Sequence, residues 1–221
     1  MFQFSSRVHV GKVMKLADVL KMMRASKEVR ADASKVSSLT LSYVINAERI
    51  NCEPDGIYKE IYVFEIGLNA KEIPSLFIEA LDKTVKFHTF FILKHGDKIA
   101  TTMCFKRFGK ILKLEKYHPS GFDDDKEIPL PDIVDVPEAY KFFYSYQMDI
   151  PYRKAETPEE LFHRIATIRK LRYDVEKLEE AIVRQTQPKK KYEYHQRVAE
   201  LKRQVTELLR EDLAIAKSSK R

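Results

Sequence analysis

The chain has 221 residues, of which 44% are hydrophobic and 33% charged, a composition that supports a buried core beneath a well-solvated surface. Its 40 basic and 33 acidic residues give a formal charge of +7, which favours an anionic partner, nucleic acid above all. Two cysteines exclude a disulfide framework, and the absence of a long apolar run or a signal-peptide pattern leads us to expect a cytoplasmic protein.

The first 49 residues combine a short strand with basic helical sequence. Alternating apolar residues between Phe2 and Val10 indicate the strand. Spacings of three and four then predict a helix that is surrounded by basic residues. Its apolar stripe consists of Leu16, Val19, Leu20 and Met23. A second helical or turn region is predicted over 32–48, with an apolar face of four residues: Leu39, Leu41, Val44 and Ile45.

The region between Ile57 and Tyr117 has the clearest core pattern. β-branched and aromatic residues predict a strand over 57–66, and apolar periodicity predicts a helix over 71–85 with Pro74 in its first turn. Three more strands, separated by turns, are predicted over 87–93, 99–105 and 111–117. This order indicates an α+β fold, with a small mixed or antiparallel sheet and flanking helices mainly on one face.

Residues 118–137 lose periodicity and are rich in proline, which predicts an extended surface loop. An aromatic cluster follows and is expected to pack on the domain: Tyr140, Phe142, Phe143, Tyr144 and Tyr146. A polar run after Pro151 indicates a domain boundary. We therefore predict an α+β domain over 1–155, a C-terminal helical hairpin over 156–216 and a frayed tail over 217–221.

The C-terminal region predicts two amphipathic helices of coiled-coil type. Residues 157–160 form a capping box with proline at the first helical position. A heptad pattern broken by Arg164 follows, and residues 186–188 separate it from the second helix. Two such helices close most economically as an antiparallel hairpin. Ten residues are predicted to form its seam or a partner interface: Leu161, Ile168, Leu171, Val175, Leu178, Ile182, Val198, Leu201, Val205 and Leu208.

No complete catalytic or metal-binding pattern occurs in the sequence, so no catalytic residue, metal or cofactor is predicted. The histidines and cysteines are too far apart for a zinc site, and the six glycines form no phosphate loop. A Mg²⁺-dependent nuclease would need converging acids, for which the candidates are Glu60, Glu65, Asp82 and Glu115. Glu60 and Glu65 point to opposite faces of a regular strand, which favours ordinary solvated charges.

Basic residues interleaved with aromatic ones favour contacts with nucleic acid. The run from Lys106 to Lys110 is predicted at one turn, and the run from Lys189 to Tyr192 at the other end of the helical hairpin. The alternative is that these lysines only keep exposed turns soluble. Eight residues are candidate phosphate contacts: Lys12, Lys15, Arg24, Lys106, Arg107, Lys189, Lys190 and Lys191.

Several segments resemble a prokaryotic family, the domain of unknown function numbered 4391. The stretch 62–68 (Tyr-Val-Phe-Glu-Ile-Gly-Leu) resembles its central strand, 81–85 and 90–93 resemble its next helix end and strand, and 190–198 resembles its closing helix. Residues 41–51 fit more loosely. The resemblance covers most of the chain, and its motifs are mainly structural.

The resemblance implies a role beside DNA-processing enzymes, because genes of this family commonly accompany DNA methyltransferases and helicases in restriction-type defence loci. Relatives often carry an acid and a lysine after the central strand, where this chain has Gly67 and Asn69. We therefore hypothesise a non-catalytic accessory subunit of a restriction or anti-phage defence system. It would dock a helicase or methyltransferase by protein–protein contact through the hairpin, and it would contact DNA. The alternatives are a divergent Mg²⁺-dependent nuclease and a self-associating structural protein that forms a homodimer.

Overall fold

The computed structural model describes residues 2–109, 111–131 and 133–210. It has the predicted mixed α+β architecture, with a six-stranded sheet, flanking helices and two C-terminal helices that pack together as a hairpin. The chain divides into two compact units, Met1–Gln147 and Met148–Arg221. The domain boundary predicted from the sequence, after residue 155, lies C-terminal to the division between these units at Gln147. The tail predicted over 217–221 lies outside the described residues.

The central sheet has the strand order β2-β3-β4-β5-β6-β9. Its neighbours are antiparallel except β4 and β5, which are parallel and joined through a helix. Two short pairs lie outside it, β1 with β10 and β7 with β8. The strands are β1 (Phe2–Gln3), β2 (His9–Val13), β3 (Val36–Asn46), β4 (Glu60–Leu68), β5 (His88–His95), β6 (Lys98–Thr102), β7 (Lys106–Arg107), β8 (Lys113–Leu114), β9 (Asp123–Asp124) and β10 (Ile128–Pro129).

One face of the sheet is covered by short helices. Alternate residues of β4, from Phe64 to Leu68, form a buried cluster with Phe77, Ile78 and Leu81 of the helix that joins β4 to β5. Burial of such side chains contributes about 1.5–3 kcal/mol each. The helices are α1 (Leu16–Met22), α2 (Lys27–Ala33), α3 (Ala47–Ile50), α4 (Ser75–Thr84) and α5 (Val136–Met148), with a 3₁₀ turn at Ser6–Val8.

The opposite face of the sheet packs against aromatic side chains. Phe90 of β5 meets Phe143 of α5 with ring centroids 4.7 Å apart, and Phe2 approaches Phe90 edge-on at 5.5 Å. Phe4 stacks on Tyr43 of β3 at 4.0 Å. The predicted aromatic cluster therefore lies on a helix, and the sheet has helices on both faces.

Three sequence predictions in this unit are wrong. Residues 36–46, predicted as helix or turn, form the long strand β3, whose pairing register shifts between Leu41 and Tyr43. The strand predicted over 111–117 is reduced to the two residues of β8, which pair with β7 outside the central sheet. Pro74 is the N-cap of α4 and not part of its first turn.

Strand β2 forms one edge of the central sheet. Its pairing with β3 is interrupted between His9 and Lys12, where Gly11 has a φ of +61°. A Cβ at Gly11 would lie 2.8 Å from the His9 ring, so glycine satisfies both the backbone conformation and the space. The edge is therefore bent by a bulge.

The second unit contains the helical hairpin, α6 (Pro158–Arg184) and α7 (Pro188–Leu209). The predicted capping box is confirmed: the Thr157 hydroxyl accepts from the Glu160 amide, and the Glu160 carboxylate accepts from the Thr157 amide. Buried apolar residues from both helices form a common cluster: Val175, Ile182, Val198 and Leu201. None of the described helices has an apolar stretch long enough to cross a bilayer.

Candidate nucleic-acid interface

Three of the candidate phosphate contacts lie near helix α1 and are exposed. Lys12 lies on the edge strand β2, Lys15 is the N-cap of α1, and Arg24 follows α1 with a left-handed φ of 49°. All three project from the first unit into solvent. Lys21 and Lys27 are also exposed in this segment, and Asp18 is the acidic residue in the first turn of α1.

Two further candidate phosphate contacts, Lys106 and Arg107, are neighbours on strand β7, but their side chains point in opposite directions. Arg107 is exposed, and its Nε lies 3.3 Å from a carboxylate oxygen of Glu115. Lys106 points inward and its side chain is completely buried. A buried ammonium cannot reach a phosphate, so Lys106 is removed from the candidate interface.

Lys106 belongs to a buried polar network centred on Asp82, near the end of α4. Its Nζ lies 2.6 Å from Oδ1 of Asp82 and donates to three backbone carbonyls, those of Asp82, Val85 and Phe87, at 3.0, 3.2 and 2.6 Å. The ammonium thus caps the carboxyl end of α4, where the helix dipole favours a cation. A fully desolvated ion pair therefore joins the short strand β7 to helix α4.

Three more donors complete the acceptor sites of Asp82. The hydroxyls of Thr89 and Tyr117 and the thiol of Cys104 all donate to its carboxylate, the thiol at 3.2 Å. Burial, together with the neighbouring Asp82 charge, raises the pKa of both Cys104 and Tyr117, so both remain protonated donors. Such saturation is what a buried carboxylate requires.

The start of α7 carries the other basic candidates. Lys189, Lys190 and Lys191 occupy its first turn and are all exposed. This turn holds no acidic residue, and the N-cap, Gln187, makes no side-chain capping bond. Backbone amides and lysine charges therefore add to a positive potential here. Tyr192 follows, 64% exposed.

Six of the ten predicted seam residues belong to the cluster that the two hairpin helices share: Leu171, Val175, Leu178, Ile182, Val198 and Leu201. Leu171 and Leu178 flank the buried cluster of the two helices, Leu161 and Ile168 are buried, and Val205 and Leu208 are half-buried. The large apolar residues that are exposed on the described part of the hairpin are Tyr173 and Val183 of α6, 57% and 83% accessible, and Tyr192 of α7.

Arg164, which interrupts the heptad pattern, has a structural role. Its guanidinium forms two bonds to Glu156, from Nη2 at 2.6 Å and from Nε at 2.9 Å. It also donates to the backbone carbonyls of Pro151 and Leu208, at 2.8 and 3.2 Å. This one side chain therefore joins the chain before α6 to the last turn of α7.

The acids of the nuclease alternative do not converge. Glu65 pairs with Lys94 of β5 at 2.7 Å, and Asp82 is held by Thr89, which lies opposite Tyr62 in the β4–β5 register. Tyr62 and Glu65 are three residues apart on a strand and face opposite sides of the sheet. Across the three described ranges, no group of three potential ligands of the His, Cys, Asp or Glu types is assembled.

Gly67, near the end of β4, and Asn69, just after it, have local structural partners. A Cβ at Gly67 would lie 2.4 Å from the Ser38 hydroxyl and 2.7 Å from that of Ser37. The Asn69 amide side chain donates to the Ser34 carbonyl at 2.9 Å. The hydroxyls of Ser37 and Ser38 therefore occupy the space beside Gly67, and the Asn69 side chain holds the preceding turn at Ser34 by a hydrogen bond.

The sequence analysis missed the Asp82–Lys106 pair and the roles of Arg164 and Glu156. Asp82 and Lys106 are 24 positions apart, and each lies in a stretch with many other charges, so no local spacing connects them. One signal was available for Arg164. A charged residue at a position that a heptad reserves for an apolar one indicates either a broken seam or a buried partner.

The fold and the exposed groups define an α+β protein with a C-terminal helical hairpin that carries basic residues at its turn. The family model Domain of unknown function (DUF4391) matches residues 7–205, and the chain belongs to this family. No curated protein and no solved structure matches the chain.

Proposed function

We propose that this protein is a cytoplasmic, non-catalytic accessory subunit of a prokaryotic DNA restriction or anti-phage defence system. It docks a helicase or DNA methyltransferase and contacts DNA through exposed basic residues. The observation that carries the proposal is the first turn of α7, which presents three exposed lysines on an uncapped helix end. The association with such loci that the family resemblance implies supports the choice of partner.

The first turn of α7 suits a phosphate backbone for two reasons. Consecutive helical positions are rotated by about 100°, so Lys189, Lys190 and Lys191 surround much of the helix end. The unsatisfied amides of that turn add to the attraction, because anions are stabilised at a helix N-terminus. Tyr192, whose hydroxyl accepts from Gln196 at 2.9 Å, offers an exposed ring for stacking on an unpaired base.

Lys12, Lys15 and Arg24 form a second basic group in the first unit, with a net positive charge that Asp18 only partly offsets. Each phosphate that a lysine or arginine neutralises releases counterions and steepens the salt dependence of binding by nearly one. Both groups therefore predict weak, sequence-independent DNA binding that is strongly sensitive to salt.

A fluorescence titration of duplex and single-stranded DNA at 50 and 200 mM salt tests the DNA contact. The triple variant K189Q/K190Q/K191Q should lower the slope of log K against log salt by roughly two to three. The matched control K59Q/K86Q/K116Q removes the same charge from exposed positions elsewhere. Absence of binding at 50 mM salt, or equal weakening by both triple variants, would refute the DNA contact.

Docking is tested with the helicase and methyltransferase of the same locus. The double variant Y173D/V183D places charges on exposed positions of α6 that do not belong to the buried hairpin cluster. We expect it to fold normally and to lose co-purification with the enzyme. The control I57D makes the same kind of change at an exposed residue of the first unit. Retained co-purification of Y173D/V183D would show that α6 is not the docking surface.

A further inference from the structure

A cavity of about 370 Å³ lies between the N-terminal segment, the end of β3 and the segment that follows β10. Its volume falls within the range of small-molecule sites. The walls are mostly aliphatic and include the buried residues Val8 and Ile45. The apolar lining consists of Phe4, Val8, Ile45, Ile50, Leu130, Pro131 and Ile133.

Two arginines connect this chamber to a second, polar cavity. Arg7 and Arg49 line the apolar chamber and also a neighbouring space of about 460 Å³, whose other walls are Glu48 and Asn51. The two spaces therefore share Arg7 and Arg49 in their walls. Two arginines against one glutamate leave this polar shelf with a net positive charge.

Arg49 is oriented before any ligand arrives. Its Nη1 donates to the backbone carbonyls of Arg7 and His9, at 3.0 and 3.2 Å. These two bonds use the hydrogens of Nη1, and its Nε and Nη2 donate to no other described residue. That remaining edge is the one that binds a carboxylate or phosphate with two parallel hydrogen bonds.

The lining of the chamber favours a hydrocarbon and not a nucleobase. Apart from the two arginines, its polar side chains are Gln3 and Ser5, and each has a protein partner: the Gln3 amide donates to Glu127 at 2.9 Å, and the Ser5 hydroxyl accepts from the Arg7 amide at 3.3 Å. A base buried here would leave most of its polar edge without partners, which opposes binding. An aliphatic group loses nothing in such surroundings.

We propose that the chamber and the shelf form a binding site for a small organic carboxylate with an aliphatic body. The hydrocarbon lies in the chamber, and the carboxylate is held by Arg7 and Arg49. This site is independent of the proposed role in DNA processing. It uses other residues, and its test contains no DNA.

The test is a titration of the full-length protein with octanoate, followed by calorimetry and by methyl NMR of isoleucine. Octanoate should shift the methyl signals of Ile45, Ile50 and Ile133 and bind about fifteenfold more tightly than hexanoate, because two further methylenes are buried. R7Q should weaken octanoate binding roughly 10- to 100-fold through loss of a charge-assisted bond. R172Q, at an exposed position of α6, should leave it unchanged.

Four other outcomes would overturn the proposal. Equal affinity for 1-octanol and octanoate would show an apolar cavity in which the arginines do not recognise an anion. Binding of adenosine monophosphate without binding of octanoate would assign the wrong ligand class. Methyl shifts confined to residues outside the chamber, or no binding of octanoate at millimolar concentration, would show that the cavity is not a site.

Discussion

The buried pair of Lys106 and Asp82 allows a sharp test of how the first unit is stabilised. Lys106→Met keeps the length and apolar stem of the side chain but removes an ammonium that contacts one carboxylate and three backbone carbonyls. Breaking a buried pair from one side costs about 3–5 kcal/mol, since the remaining charge stays desolvated. We expect the free energy of unfolding to fall by this amount.

The assay is urea unfolding followed by circular dichroism. With a urea m-value of about 2 kcal/mol/M, a loss of about 4 kcal/mol lowers the midpoint by about 2 M. Lys94→Met is the matched control, because its partner Glu65 and Lys94 itself are partly exposed, with side-chain accessibilities of 20% and 29%. A pair of that kind contributes about 1 kcal/mol at most, so its midpoint should move by roughly 0.5 M or less.

A double-mutant cycle completes this test. D82L/K106M should be less destabilised than the sum of the two single variants, with a coupling energy of about 2–3 kcal/mol. If Lys106→Met unfolds within about 0.5 M urea of the parent, or if the cycle shows no coupling, the ion pair does not stabilise the fold.

Three further predictions concern other buried groups. His88 stacks on Tyr58 at 4.7 Å, and burial, with the charge of Lys106 as a smaller cause, lowers its pKa to about 3. The unfolded imidazole titrates near 6.5, so its contribution to stability is present above about pH 6.5 and lost at about 1.4 kcal/mol per pH unit towards pH 3. H88F should lack this loss when stability is compared with the parent between pH 6.5 and 4, and parallel curves would refute the assignment. Arg164→Ala should destabilise the hairpin by about 3–5 kcal/mol, because it removes the ion-pair partner of the buried Glu156 side chain. Arg203→Ala, at an exposed pair, should change the urea midpoint little, and an equal effect of both variants would contradict this role. Leu201→Ala should cost about 2–5 kcal/mol and Val183→Ala almost nothing, given exposures of 3% and 83%. Similar urea midpoints for these two variants would contradict the burial of Leu201 between the two hairpin helices.

The strand β3 shows why periodicity alone failed in one region. Leu39 and Leu41 lie opposite Ile66 and Phe64, on the face covered by α4, and the register shift then brings Val44 to that same face, opposite Tyr62. Residues on one face of a regular strand are two positions apart, but the bulge makes the step from Leu41 to Val44 three positions. Apolar residues at 39, 41, 44 and 45 consequently resemble one side of a helix.

The C-terminal hairpin was predictable because its determinants are local. The capping box, the heptad spacing and the proline at 188 all act within a few residues, and each is present in the structure. The site around Asp82 depends on chain segments that meet only in the folded protein. Consequently Lys106 was predicted to be exposed, although its neighbour Arg107, one position along the same short strand, is the one that faces solvent.

The bend in strand β2 bears on how copies of this protein behave together. A straight sheet edge offers a continuous row of amides and carbonyls on which another molecule can add a strand. Here the left-handed turn at Gly11 interrupts that row within five residues, and charged Lys12 follows it. Growth of fibrils or edge-to-edge dimers from this side is therefore disfavoured by the backbone itself.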